Sequence, residues 1–200
     1  NNIILNGHYV RDTKLSVAGT DVLNAPLNLN APNQTLFKTN FVVDNAGEAY
    51  LNAFEVSYNA NLTIFTNISN MKLKIDGVEV DALDVGLVDT STSIEVTLAG
   101  SYTNGFTLSP GTHSIEVLGT INGTLWIITN ESMTFYIPER ATAADCAVVG
   151  LPGAWNLGGD SSIIRSDGAH NTYSTLATTA DWFNDCAVEQ LQSNYYKLAE

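Results

Sequence analysis

The chain has 200 residues, of which 44% are hydrophobic, and carries a formal charge of −13 from 8 Lys and Arg against 21 Asp and Glu. That length and hydrophobic content fit a globular protein with a sizeable core and argue against a disordered chain. The acidity argues against nucleic acid, whose phosphates it would repel, and no run reaches the ~20 apolar residues of a membrane-spanning helix.

Only 14% of residues are charged, so Asn, Ser and Thr must carry much of the surface, as they do on many extracellular β-proteins. The first residues are Asn1-Asn2 with no methionine, which fits removal of a signal or anchor, or trimming. Residues 1–13 hold two short apolar groups, Ile3-Ile4-Leu5 and Tyr9-Val10, ahead of the first regular strand around Leu15 and Val17. They read as an arm able to act as a donor strand for a neighbouring copy, or to fold back on their own domain.

From there to Ile137 the apolar residues recur with a period of two, the mark of strands with one buried face. Leu36 to Val43 places Phe37, Phe41 and Val43 opposite Lys38 and Asn40, and Asp44-Asn45-Ala46-Gly47 supplies a turn. Tyr50 to Tyr58 aligns Phe54, Val56 and Tyr58, and a short run follows at Leu62 to Phe65. Met71 to Ile75 leads through Asp76-Gly77 to Val78 and Val80, a two-residue hairpin signal. Asp81 to Ser93 reads as an acidic, polar connection.

Ile94, Val96 and Leu98 then alternate with Glu95 and Thr97. Ser109-Pro110-Gly111 suits a type II turn, and beyond it Ile115 and Val117 alternate with Ser114 and Glu116. Leu125 to Ile128 is nearly all apolar, and Met133, Phe135 and Ile137 complete eight to ten strands. Turn clusters every eight to twelve residues predict an all-β protein, an immunoglobulin-like or jelly-roll-like β-sandwich over residues 14–137.

After Pro138 the pattern changes. Residues 138–200 read as an annex packed on the sandwich, with an edge strand near Ser161 to Arg165 and no clear period from Thr179 to Leu191. Cys146 and Cys186 bracket much of it and fit one disulfide in an oxidising compartment, worth about 4 kcal/mol in the chain-entropy model; two buried thiols are the alternative.

Chemistry-bearing motifs are sparse. His8, His113 and His170 lie far apart with no metal-binding spacing, and His113 reads as a packed or rim residue. No nucleophile elbow, Walker A or dinucleotide fingerprint occurs, so no catalytic residue is assigned and the chain does not read as an enzyme. Gly119 and Gly123 fit strand-end or bulge positions. Asp76, Glu79, Asp81, Asp84 and Asp89 form an acidic group whose hard oxygens suit calcium but match no EF-hand spacing; no cofactor is assigned. Five sequons make Asn33, Asn61, Asn67, Asn122 and Asn130 candidate glycosylation sites, a number little above chance. Trp126, Trp155 and Trp182 could present aromatic faces to a glycan, although packing is the commoner fate.

Two resemblances add to this. Ala31-Pro32-Asn33-Gln34-Thr35-Leu36-Phe37-Lys38-Thr39-Asn40-Phe41-Val42-Val43 and Ser109-Pro110-Gly111-Thr112-His113-Ser114-Ile115-Glu116-Val117 resemble immunoglobulin-like repeats of bacterial surface proteins. Ser166-Asp167-Gly168-Ala169-His170-Asn171-Thr172-Tyr173 and Thr178-Thr179-Ala180-Asp181-Trp182-Phe183-Asn184 resemble an ending found in surface proteins of candidate-phyla bacteria (Patescibacteria), with Arg165 where that pattern has Trp and Asp185-Cys186 where it has Gly-Tyr. The resemblance implies a secreted, structural protein of the cell surface with no catalytic residues. The expected function is therefore a subunit of a self-assembling surface filament or surface layer, with copies of itself as partners. A secreted adhesin that binds a glycan or host surface is the alternative.

Overall fold

The computed structural model describes residues 15–19, 23–26, 28–61, 65–98, 105–124, 132–138, 163–166, 183–184 and 191–197. Fourteen strands lie within them: β1 (Leu15–Ala18), β2 (Leu23–Pro26), β3 (Gln34–Val43), β4 (Ala49–Asn61), β5 (Phe65–Ile75), β6 (Val78–Glu79), β7 (Val85–Asp89), β8 (Ser93–Leu98), β9 (Phe106–Leu108), β10 (Gly111–Gly123), β11 (Ser132–Ile137), β12 (Ile163–Ser166), β13 (Phe183–Asn184) and β14 (Leu191–Lys197). The protein is all-β, as the alternation predicts. Among the described residues no helix is long and apolar enough to cross a membrane.

The strands form two sheets. The first has the order β1-β3-β10-β5-β6, with antiparallel neighbours throughout. The second is organised on β4, whose 13 residues give it room for four partners. It pairs with β9 at Ala49–Leu51, β12 at Tyr50–Phe54, β8 at Ala53–Ser57 and β11 at Ser57–Asn61. Tyr50 and Leu51 each pair with both β9 and β12, so β8 and β9 line one edge of β4, and β11 and β12 the other. β7 lies outside β8, β13 outside β12, and β14 outside β11, with β2 alongside β14 as the one parallel neighbour.

The core fills the space between the sheets. Phe37, Phe41, Leu73, Ile75, Ile115 and Val117 enter it from the first sheet; Phe54, Val56, Ile94, Val96, Leu98, Met133, Phe135 and Ile137 enter from the second. These are the faces that the sequence alternation selects, because burying one side of each pleated strand is what holds the sheets together. Phe41 meets Phe54 edge to face with ring centroids 6.0 Å apart, joining β3 to β4 across the sandwich. β10 carries register shifts at Leu118/Thr120 and Asn122/Gly123, so Gly119 and Gly123 do mark irregularities. A Cβ on Gly119 would lie 2.7 Å from Leu36 Cδ1, which explains why glycine stands at the first of them.

Asp76 and Gly77 have φ of 53° and 79°, as a two-residue hairpin turn requires, and β5 and β6 pair as expected. Three expectations need correction. The stretch Asp81 to Ser93 is not merely a connection: Val85–Asp89 is strand β7, because Val85 and Leu87 pack on the core while β8 offers a free edge. Ser109-Pro110-Gly111 closes no hairpin. Leu108 ends a strand of the second sheet and Gly111 opens β10 in the first, so the turn crosses between layers with a Gly111 φ of 135° rather than the type II value of about +80°. The strand expected at Ser161 to Arg165 runs from Ile163 to Ser166 and is not an edge, since it lies between β4 and β13. Residues 1–13, the apolar run at 125–128, Cys146 and Cys186 lie outside the described residues.

Candidate functional site

The edge formed by β6 and β7 gathers the features that sequence reading left unassigned. β6 is only two residues long, and among the described residues β7 pairs with β8 on one side alone. The stretch from β6 through β7 exposes three large apolar side chains: Val78 at 70%, Leu83 at 86% and Val88 at 56%. Single exposed apolar residues are ordinary, but three within eleven positions along an open sheet edge make a sticky border. Because β7 packs over β5, and β11 and β14 over β3, this border lies at the opposite edge of the sandwich from β1. The signal was present in the run Val85-Gly86-Leu87-Val88; five nearby carboxylates concealed it.

Those carboxylates separate in the fold, and Asp76, Glu79, Asp81 and Asp89 each serve a local structure. Asp89 accepts hydrogen bonds from Tyr58 Oη at 2.7 Å, from the Ile68 amide at 2.8 Å and from the Ser91 amide at 2.9 Å. Tyr58 is on β4 and Ile68 on β5, so one carboxylate ties the two sheets together. Ile68 is paired with Ile121 of β10, while β6 covers only Lys74 and Ile75 of β5; Asp89 therefore caps an amide at an otherwise open stretch of strand. Burial pushes the Tyr58 phenol far above its ordinary range, and the Asp89 hydrogen bond and charge add to the shift.

Asp81 accepts from the Leu83 amide at 2.9 Å within its own turn, and Glu79 pairs with Lys72 at 3.1 Å. Among the described residues no cluster of His, Cys, Asp and Glu is arranged to hold a metal ion. The second sheet adds a feature the sequence reading missed. Glu55 is 4% exposed, accepts from Ser57 Oγ at 3.0 Å and lies directly across from Glu95 on β8.

Asp76 and His113 form the second polar cluster. Asp76 Oδ1 accepts from the Ser114 amide at 2.8 Å, and Oδ2 lies 2.8 Å from His113 Nδ1. His113 Nε2 is 2.7 Å from the Ser109 carbonyl. Both ring nitrogens thus face acceptors, which only the doubly protonated imidazolium can satisfy as a donor on both sides. Burial opposes that charge, but the Asp76 bond, the Ser109 carbonyl and the Asp76 charge outweigh it and raise the His113 pKa above 6.5. For Asp76, burial likewise opposes ionisation; the bonds from His113 and Ser114, with the His113 charge, lower its pKa below 3.8. His113 is thus a rim residue, as its strand position suggests, with a specific partner.

The signs set a pH window. The stability contributed by His113 is complete below 6.5 and is lost as pH rises through its raised folded value. That contributed by Asp76 is present above 3.8 and is lost as pH falls through its depressed folded value. Urea unfolding measured from about pH 5 to about pH 8 should therefore show stability declining through this range. His113→Gln should flatten the decline. A wild-type profile that His113→Gln leaves unchanged would mean the pair does not titrate with folding.

Candidate glycosylation sites differ in access. Asn33 is exposed in a turn with φ 55°. Asn67 and Asn122 face one another across β5 and β10, and Asn122 Nδ2, the atom a glycan would take, donates to Asn67 Oδ1 and Ser69 Oγ at 2.9 Å each. Asn61 ends β4, opposite Ser132. Asn130, the arm residues Ile3, Ile4, Leu5, Tyr9 and Val10, the cysteines, His8, His170, Trp126, Trp155 and Trp182 lie outside the described residues.

No protein family's sequence profile matches the chain, and no curated protein matches it. Among solved structures it is similar to the major pilin subunit of Bacillus cereus, with 11% identity and a TM-score of 0.30 over 62% of this chain and 34% of that one. It is similar also to the pilus backbone of Streptococcus pneumoniae, with 12% identity and a TM-score of 0.30 over 64% of this chain and 55% of that one. A third, AvmM, which catalyses macrocyclization in alchivemycin A biosynthesis, gives 11% identity and 0.31 over 95% of this chain and 90% of that one. The chain thus spans about a third and about half of the two pilus proteins. TM-scores near 0.3 assign neither a family nor an activity, and the resemblance to candidate-phyla surface proteins has no counterpart among these structures.

Proposed function

We propose that this chain is a non-enzymatic structural subunit of the cell exterior that polymerises by strand addition. The arm of residues 1–13, with Ile3, Ile4, Leu5, Tyr9 and Val10, lies along β7 of the next copy. The observation that carries the reading is the border of β7, open on one side and flanked by Val78, Leu83 and Val88. An added strand would satisfy its free backbone groups and remove those apolar side chains from water. The arm precedes β1, at the far edge of the sandwich, so donor and acceptor belong to opposite sides. A contact of that kind is heterologous and extends into a filament unless its rotation closes a ring. In this reading Cys146 and Cys186 form a disulfide and Asn33, exposed in its turn, is open to glycosylation, both suited to a secreted protein.

Negative-stain microscopy and analytical ultracentrifugation test it. The native protein should form regular fibres, whereas deletion of residues 1–10 and, separately, the double substitution Leu83→Lys with Val88→Lys should each give folded monomers. Assembly that survives both changes, or a native protein that stays monomeric at high concentration, would overturn the proposal.

A further inference from the structure

From Leu15 to Pro138 the chain has 12 Asp and Glu but only three Lys, at Lys38, Lys72 and Lys74, and no Arg. All three lysines stand on one surface. Lys38 of β3 lies between the buried Phe37 and Thr39, Lys74 of β5 between Leu73 and Ile75, and Glu116 of β10 between Ile115 and Val117. Because side chains alternate along a strand, Lys38, Lys74 and Glu116 point away from the core, on the outer face of the first sheet.

The strand registers line them up. Lys38 is directly opposite Glu116, Glu116 opposite Lys74, and Lys74 opposite Glu79 of β6. Four adjacent strands, about 4.8 Å apart, therefore carry charges of alternating sign in a single row. Thr35 Oγ1 donates to Glu116 Oε1 at 2.6 Å and Lys72 pairs with Glu79 at 3.1 Å, so both carboxylates are held in the row. Lys38, Lys74 and Glu116 are half-buried and Glu79 is exposed, so a partner can reach all four.

An alternating row of four charges is complementary to its own reverse. A two-fold axis parallel to the strands, between β10 and β5, turns the row end for end and lays it on itself. Every charge then meets its opposite, whereas an axis across the strands sets like on like. Stacked sheets keep their strands within about 30°, which displaces the ends of a ~14 Å row by only about 4 Å, within reach of Lys and Glu side chains. In the next row Leu118 lies between Lys72 and Thr35, so the same axis lays the Lys72 stem over an apolar side chain. A linear polyanion would meet Glu116 and Glu79 interleaved with the lysines; a second copy meets only opposites. We infer that the outer face of the first sheet pairs with the same face of a second copy about this axis, Lys38 against the partner's Glu79 and Glu116 against the partner's Lys74. This contact is separate from the β7 border and does not depend on polymerisation.

Exposed ion pairs are individually weak, so the contact is reversible, with a dissociation constant on the order of 1 mM. Variants that do not polymerise accordingly stay monomeric at micromolar concentration. The test uses the full chain carrying Leu83→Lys and Val88→Lys, so that polymerisation and pairing are read separately. Small-angle scattering from about 0.05 to about 3 mM should show monomers giving way to pairs. Adding Lys38→Glu, or separately Glu79→Lys, sets like charges together at both ends of the row and should weaken pairing at least about tenfold. Mixed in equal amounts, the two variants should pair nearly as tightly as their parent, because each reversed charge then meets the other. A loss of fold stability cannot produce that rescue, and circular dichroism establishes that each variant is folded. A parent that stays monomeric throughout, single variants that pair like the parent, or a mixture that pairs no better than either variant alone would overturn the inference. So would a monomeric parent retained on immobilised polyglutamate, which would mark the face as a polyanion site.

Discussion

Replacing Gly105 with alanine is expected to destabilise the protein by about 3 kcal/mol, from a strained backbone of about 1–3 kcal/mol together with overpacking of about 1–3 kcal/mol. Gly105 has φ of 78°, in the region that L side chains rarely adopt. Its Cβ would lie 2.6 Å from the Leu51 carbonyl oxygen, 3.0 Å from the Leu51 carbonyl carbon and 3.2 Å from the Asn52 amide nitrogen. Those are backbone atoms of β4, the strand on which the second sheet is built. Leu51 is fully buried and paired with both β9 and β12, so it has no room to yield. The loss would remove a large share of the ~5–15 kcal/mol typical of a folded domain. Urea unfolding should show a lower midpoint with unchanged slope. An unaltered midpoint would show that the segment before β9 moves away from β4 at little cost.

Asp89→Ala is expected to cost about the same, roughly 3 kcal/mol, through loss of hydrogen bonds to a charged acceptor and the stranding of buried donors. The Tyr58 hydroxyl and the Ile68 amide lose their acceptor, and Tyr58 is only 5% exposed. Asp89→Asn separates the contributions. The Ile68 amide can only donate, so the Asn oxygen must face it, while the Asn nitrogen can donate to a Tyr58 hydroxyl that turns acceptor. The Ser91 amide, which shares Oδ1 with Tyr58, then loses its partner. Asp89→Asn should therefore be milder than Asp89→Ala, by at least about 1 kcal/mol. Equal losses in the two would mean that the carboxylate charge, not the bonding pattern, ties the sheets together. Stability should also fall as pH rises above the usual phenol value of 10.0, because burial and then Asp89 hold the Tyr58 phenol neutral in the fold.

The strand content was legible in the sequence wherever one face of a strand is buried and the other is not. Met133, Phe135 and Ile137, or Ile94, Val96 and Leu98, state the burial pattern outright, and Asp76-Gly77 states its turn. Such signals are local, since the pleat repeats every two residues and a tight turn needs particular backbone angles at two positions. β7 was obscured because its neighbouring carboxylates made the whole stretch read as a polar loop. Their partners lie far along the chain: Asp89 with Tyr58 and Ile68, Asp76 with His113 and Ser114.

By itself the sequence determined that this chain forms β-strands with apolar inner faces, that several glycines stand at irregular positions, and that its surface is acidic and rich in uncharged polar groups. Tertiary structure alone decided that Ser109-Pro110-Gly111 crosses between sheets, that Asp89 joins them, and that Lys38, Glu116, Lys74 and Glu79 fall in one row. The physical reason is the reach of the forces involved. Periodicity and turn chemistry act between neighbours in sequence, whereas the hydrogen bonds of Asp89 and Asp76 to Tyr58, Ile68, His113 and Ser114 join residues 21 to 38 positions apart, and only the packed sheets bring those together.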